Sequence, residues 1–455
     1  MTRSAAISGL FIILVGYLVI GALYAVDTPA WQAPDEPAHY NYIRHIVEQR
    51  ALPVLKLGDY DQAYLDQLKA DRFPPGRPVD SIRYEGWQPP LYYLLAAPVF
   101  AASGGSLLAV RLFTLLLGSG VVILAWALAL EIFPNAPGLA LAAAGFVAFV
   151  PQHLAMTAAA NNDSLAEVLI GLGLWLSVRL LLRPPESRWR AVWPLGVVLG
   201  LAFLTKLSAY PLAGLIALAL LLAARREAWP PRRLVSASAQ VYVPAIILGA
   251  LWWGRNLAVY GGLDFLALQK HDSIVVGQPR TSDMLALWGS ALYVRNFAQT
   301  TFQSFWGQFG WMGVVMDRRV YWALLAYSAL LLVGLIGAAV AFRRSGRRLG
   351  RPRADVLVLL AVAVLLAVAV YLYYNLTFVQ FQGRYLYPAL LVIALGAAVS
   401  LRQWSMWLLG MVRMGGKSWI GWAVALLPLG AIGLMAALDI FALYRFIIPA
   451  LRLPG

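Results

Sequence analysis

Apolar runs long enough to cross about 30 Å of hydrocarbon recur along this chain from residue 5 to residue 444, and a bilayer is the solvent in which so many can coexist. Of the 455 residues, 61% are hydrophobic and 13% charged, which excludes an ordinary soluble domain and leaves no stretch for a large separate one. The chain reads as an all-α polytopic membrane protein with a single membrane domain over 1–455. The run at 5–26 follows Arg3 and could pass for a signal peptide, with Ala22-Leu23-Tyr24-Ala25 as its cleavage site. It is longer than a usual signal core, so it is taken as an uncleaved first span.

Apolar runs weighed against flanking charge place eleven crossings near 5–26, 107–131, 138–158, 164–182, 192–205, 208–224, 234–257, 320–342, 355–374, 385–401 and 418–443. With the N-terminus inside, the inner loops hold Arg183, Arg188 and Arg190, then Arg225, Arg226, Arg232 and Arg233. The run from Arg343 to Arg353 and the group Arg402, Arg413 and Lys417 follow. The formal charge of +15 is thereby explained by the positive-inside rule rather than by nucleic acid. The pair at 192–205 and 208–224 is short, with Lys206 marking its outer turn. Two outer segments are long, 27–106 and 258–319. The first carries an amphipathic stretch at 38–47 and, after two prolines, an apolar stretch at 89–100 that suits an interfacial helix.

This threading sends the chemically interesting side chains to the outer side. They are Asp35, Glu36 and His39; Tyr84, Glu85 and Gln88; Asn161, Asn162 and Asp163; and Arg111, Lys206, Arg255 and Arg384. An isolated Asp-Glu pair between prolines is ordinarily a solvated cap, and a lone arginine at a span end ordinarily snorkels to headgroups. Carboxylates and cations gathered at one leaflet level, where an unpaired charge costs several kcal/mol, point instead to a site. Carboxylates there can accept a proton from a nucleophile or share a divalent cation, and fixed cations suit a phosphate. Aromatics at Trp87, Trp252, Trp253 and 304–311 read mostly as an interfacial belt, with some able to stack on a sugar. Cysteine is absent, and His39, His45, His153 and His271 form no zinc motif, so any metal must rely mainly on carboxylates such as Asp35 and Asp163. No Walker, dinucleotide or nucleophile-elbow motif is present.

Several motifs, taken in order, carry a family resemblance. Asp35-Glu36 with His39-Tyr40, Gln88-Pro89-Pro90-Leu91-Tyr92-Tyr93, Arg111 and Asn161-Asn162-Asp163-Ser164 resemble the GT-C superfamily of integral-membrane glycosyltransferases. Gly200 to Lys206, Trp253-Gly254-Arg255-Asn256, Ser304-Phe305-Trp306-Gly307 and Gln382-Gly383-Arg384-Tyr385 look like its DUF2142 branch. The resemblance, shared with protein mannosyltransferases and the aminoarabinose transferase of lipid A, implies transfer of a sugar from a polyprenyl-phosphate donor. The acceptor would be a cell-envelope glycan, lipid or protein at the outer face of a prokaryotic cytoplasmic membrane. It implies an essential acidic residue at Asp35, beside Glu36, and a second at Asp163. Some relatives carry Lys before the Pro-Pro pair where this chain has Gln88, which shifts phosphate binding toward Lys206, Arg255 or Arg384. The expected chemistry makes Asp35 a general base for the acceptor, with a Mg or Mn ion on Asp35 and Asp163 as an option. A lipid-linked-sugar transporter and a noncatalytic scaffold are the rival readings; a transporter would spread its ionisable groups over both leaflets.

Overall fold

The computed structural model describes residues 3–183, 185–346, 348–414 and 427–453. Helix α1 (Arg3–Asp27) is followed by an outer layer of α2 (Glu36–Gln49), α3 (Gln62–Ala70), a 3-10 turn (Tyr84–Trp87) and α4 (Leu91–Ala102). Then come α5 (Leu107–Ile132), α6 (Pro137–Ala148), α7 (Pro151–Thr157), α8 (Asp163–Leu182), α9 (Pro185–Phe203), α10 (Leu212–Arg226) and α11 (Pro231–Tyr260). The second outer segment holds α12 (Leu268–Ile274), α13 (Thr281–Trp306) and a small hairpin of β1 (Gln308–Phe309) with β2 (Val314–Val315). The chain continues through α14 (Arg318–Arg344), α15 (Arg351–Thr377), a 3-10 turn (Gly383–Ala389), α16 (Leu390–Met414) and α17 (Leu427–Ala442).

Among the described residues nine helices are long and apolar enough to span a membrane. The eleven crossings expected from the sequence differ at three places. The run at 138–158 is not one rod: α6 and α7 meet at 66°, because Pro151 opens α7 and cannot donate the hydrogen bond that would continue α6. Counted as one broken span, the pair makes ten. The crossing at 192–205 is the end of α9, whose described apolar part, Val192–Phe203, is too short to span by itself. The last span is seen from Leu427; residues 415–426, which include Lys417, and Arg347 lie outside the described residues, as do the side chains of Arg188, Arg190 and Arg413. The long α13, broken at Gly289 (φ 73°), was not legible in the sequence.

Helix α5 packs on α1, α6 and α8; α8 also meets α9, α10 and α15, and α14 lies on α16. At Gly196 a Cβ would strike the carbonyls of Gln240 and Val241, so glycine there lets α9 and α11 approach backbone to backbone. Arginines mark one end of the bundle: Arg179 in the last turn of α8, Arg225 and Arg226 in that of α10, Arg343 and Arg344 in that of α14, and Arg351 and Arg353 at the start of α15. The opposite ends of α8, α10 and α15 converge under the outer layer.

Candidate active site

At that end a cavity of about 670 Å³ opens between the outer layer and the bundle. Asp35, His39, Tyr84, Glu85, Gln88, Asp163, Lys206 and Arg384 all line it, so residues from five separate stretches of the chain meet in one place. Its polar head continues into an apolar groove lined by Ile170, Leu212, Leu215, Leu366 and Val370 of α8, α10 and α15. From Ala363 to Thr377 the α15 lining, groove and mouth together, runs roughly 21 Å at 1.5 Å per residue.

Asp35 is the N-cap residue of α2 and sits in the left-handed region (φ 66°), a conformation that Asp tolerates better than most residues. Its Oδ1 accepts from the Tyr84 hydroxyl at 2.7 Å and its Oδ2 from Arg384 Nη2 at 3.1 Å. Burial pushes this carboxyl up, yet the Arg384 guanidinium, His39 and the Tyr84 hydroxyl outweigh it and hold Asp35 below the usual carboxylate range. Asp163, the first residue of α8, accepts from Lys206 Nζ at 2.5 Å. The amides before it aim it: Asn161 Oδ1 accepts from the Asp163 backbone N–H, and Asn162 Nδ2 donates to Gln88 Oε1 and the Thr205 carbonyl. Arg384 is oriented by Gln382, which accepts from its Nε at 2.6 Å. His39 pairs with the Tyr93 hydroxyl at 2.8 Å; burial, then Lys206, pushes its imidazole down to about 3, so it is neutral at physiological pH.

Glu36, Arg111, Asn162 and Arg255 do not line the cavity. Glu36 and Arg111 form a buried ion pair whose carboxylate accepts from Arg111 Nε (2.7 Å) and Nη2 (2.6 Å), and from the backbone N–H groups of Trp31 and Ala160. Arg111 also donates to the carbonyls of Ala25, Thr28 and Pro29. The pair is a clasp joining α1, α2, α5 and the turn before α8, and it stands apart from the cavity where the sequence reading expected Glu36 in catalysis and Arg111 on phosphate. Arg255 donates to the Pro53 carbonyl and stacks over Trp252 and Tyr260, tying the first outer segment to α11. In this structure its guanidinium is engaged there, away from the cavity. Asn162 acts behind Gln88.

The outer segments add lining that the sequence did not single out: Tyr60, Gln62 and Lys69 from the first, and His271, Gln278 and Met312 from the second. Trp87 and Trp311 flank this mouth, Lys69 lying 5.5 Å from the Trp311 ring. Tyr371 and Tyr374 at the end of α15 join them. Residues of these types, in loops and on the short helices α3 and α12, carry no period to mark them; the Tyr-Leu-Tyr-Tyr run closing α15 was the one available signal.

A divalent ion on Asp35 and Asp163 does not fit what surrounds them. Each carboxylate is already neutralised by a cation, and among the described residues no three His, Asp or Glu side chains gather as a metal group. No step is therefore routed through such an ion.

Residues 81–393, over two thirds of the chain, match the family profile described as "Predicted membrane protein (DUF2142)". Among solved structures the chain is similar to ArnT from Cupriavidus metallidurans bound to undecaprenyl phosphate. The identity is 15%, over 99% of this chain and 74% of that one, with a TM-score of 0.54. It is also similar to the oligosaccharyltransferase of Archaeoglobus fulgidus tethered to an acceptor peptide, at 13% identity and a TM-score of 0.50. That match covers 96% of this chain and 55% of the oligosaccharyltransferase, about half its length. The same archaeal enzyme, AglB, complexed with an inhibitory peptide and a dolichol-phosphate, matches at 12% identity, 96% and 56% coverage and a TM-score of 0.50. At such identities the likeness is one of fold, that of the GT-C glycosyltransferases. No curated protein matches the chain by sequence.

Proposed function

Because the chain belongs to the DUF2142 family of membrane proteins and has a GT-C fold, we propose that it is a glycosyltransferase moving a sugar from a polyprenyl-phosphate carrier to a hydroxyl or amine acceptor. The observation that carries this reading is the union, in one cavity, of a charged head and an apolar groove between α8, α10 and α15. An isoprenoid tail suits the groove, and a phosphate suits the level of Lys206 and Arg384, where a fixed ammonium and a guanidinium sit among carboxylates. Charge that develops on the departing phosphate is stabilised by those two cations, which are already oriented by Asp163, Asp35 and Gln382. The sugar then lies between the cations and the aqueous mouth, where Trp87 and Trp311 offer flat faces. The mouth admits the acceptor, a cell-envelope glycan, lipid or protein. The arginine-rich helix ends lie opposite the cavity, which under the positive-inside rule supports a site on the outer face, and the proposed setting is the cytoplasmic membrane of a prokaryote.

The test is donor turnover by the purified chain in nanodiscs, using a panel of labelled polyprenyl-phosphate hexoses and pentoses with envelope extract as acceptor. Consumption of at least one donor, lost on Lys206→Ala, is expected. Binding without consumption across the panel would make the chain a scaffold. Unmodified donor crossing the bilayer would make it a transporter.

A further inference from the structure

Four carboxylates line the cavity, and they differ in how their oxygens are engaged; Asp272, half-exposed, pairs with Arg280 at 3.0 Å. Asp35 is bonded by Tyr84 on one oxygen and by Arg384 on the other. Asp163 is held by Lys206 at 2.5 Å. Glu85, carried on the 3-10 turn Tyr84–Trp87, is buried where the Asp35 and Asp163 side chains are partly exposed; among the described residues no cation lies within ion-pair distance of it, and its Oε2 has no hydrogen-bond partner. We propose that Glu85 is the general base that takes the proton from the acceptor nucleophile, an assignment that rests on the glycosyltransferase reading.

A carboxylate tied to a guanidinium or an ammonium is stabilised as the anion and is a weak proton acceptor; one left without such partners is a stronger one. The groups facing Glu85 bear this out from every side. Asp35 comes from the start of α2, Asp163 from α8, Lys206 from the turn between α9 and α10, Tyr84 from its own turn, Tyr93 from α4 and Tyr374 from α15. Burial pushes the Glu85 carboxyl up, the Asp35 carboxylate adds to it, and Lys206 and the Gln88 side chain pull back only in part, leaving it at about 7. A base of that strength is half ionised near neutral pH and still able to accept a proton, the balance that general-base catalysis favours.

The step balances. The acceptor oxygen bonds to the anomeric carbon as that carbon's bond to the phosphate oxygen breaks, the electron pair leaving with the phosphate. The acceptor's proton passes to Glu85. The carrier turns from a phosphodiester into a monoester with one more negative charge, while Glu85 loses one, so the buried site keeps its net charge through the reaction. Asp35 and Asp163 keep Arg384 and Lys206 aimed at the phosphate throughout. The proton returns to water through the mouth when product leaves.

The experiment uses the full chain in nanodiscs with whichever donor the wild type consumes, following kcat/KM across the neutral pH range. Wild type is expected to show an acid limb with its midpoint near 7. Glu85→Gln is expected to lower kcat by about 10²- to 10⁴-fold with donor KM little changed, and its residual rate to lose the limb. Glu85→Asp should retain part of the rate with the limb displaced. Infrared difference spectra should show a protonated-carboxyl band that disappears as pH rises through the limb and is missing from Glu85→Gln, a readout independent of turnover. If Glu85→Gln keeps both the rate and the limb, the assignment to Glu85 is overturned while the glycosyltransferase reading stands. If the wild type consumes no donor, the glycosyltransferase reading fails and this assignment with it.

Discussion

Replacing Glu36 by glutamine is expected to unfold what replacing its neighbour Asp35 by asparagine leaves standing. The Glu36 carboxylate is fully buried and accepts four hydrogen bonds, two from Arg111 and two from the amides of Trp31 and Ala160. A glutamine there loses the charge that balances a buried guanidinium and turns an N–H₂ toward groups that are themselves donors. Breaking a buried pair from one side costs about 3 to 5 kcal/mol, a large share of the roughly 5 to 15 kcal/mol that holds a typical protein domain together. Asp35 differs. Its side chain is 30% exposed, Arg384 keeps Gln382 as a partner when the charge is lost, and asparagine is at ease in the left-handed conformation that residue 35 adopts. Its loss should cost only about 1 kcal/mol in stability. Thermal unfolding of the two purified variants, read by intrinsic tryptophan fluorescence and paired with donor turnover, decides the matter. Glu36→Gln should melt well below the wild type; Asp35→Asn should melt near it and lose transfer. A stable but inactive Glu36→Gln, beside an unstable Asp35→Asn, would refute the division of these two acids into clasp and site.

Three further outcomes follow from the same geometry. A Cβ on Gly383 would fall on the Thr301 carbonyl and the Phe305 amide of α13, so Gly383→Ala should displace Arg384, destabilise the chain by about 1 to 3 kcal/mol and raise donor KM, as steady-state kinetics would register. Because Asp35 and Asp163 are engaged by cations, turnover should survive EDTA; abolition by chelator with recovery on Mg addition would contradict that donor set. Glu85 rises from its ordinary 4.5 to about 7 on folding, so the folded chain binds its proton more tightly and stability relative to Glu85→Gln falls as pH climbs between those values. The difference should reach about 3 kcal/mol and stay constant above pH 7, with Glu85→Gln the more stable protein in alkaline thermal melts.

What could be read from the sequence, and what could not, follows from which physical signals are local. Hydropathy and charge located the spans, because each helix answers to the bilayer on its own. They also brought Asp35, Asp163, Lys206 and Arg384 to one leaflet. Burial partners are not local. Glu36 and Arg111 are 75 residues apart and share the chemical type of the site residues, so only the fold reveals that their charges satisfy each other. Arg255 was misjudged for the same reason, its partner Pro53 lying 202 residues away. Pro151 was visible, but whether a proline kinks a span or splits it depends on what receives the freed backbone. Glu85 was singled out as a substrate ligand; that it lacks a cation, unlike its two neighbours, is a property of the assembled cavity.

That contrast between clasp and base bears on how such a site is kept. Around the cavity the chain holds Asp35, Trp311 and Met312 at positive φ and leaves the Glu85 carboxyl without a counter-charge, each a cost of order 1 to 3 kcal/mol that persists only where the surroundings over-determine it. The surroundings here are specific. Glu36 and Arg111 bind the end of α1, the start of α2, the start of α5 and the turn before α8, which include the elements that carry Asp35 and Asp163. The buried tyrosines Tyr42, Tyr92 and Tyr93 lock α2 against α4 directly behind His39 and Gln88. A sequence that relaxed the strain at residue 35 or gave Glu85 a cation would fold more easily and, by the same stroke, lose the one carboxylate whose proton affinity is left free to change.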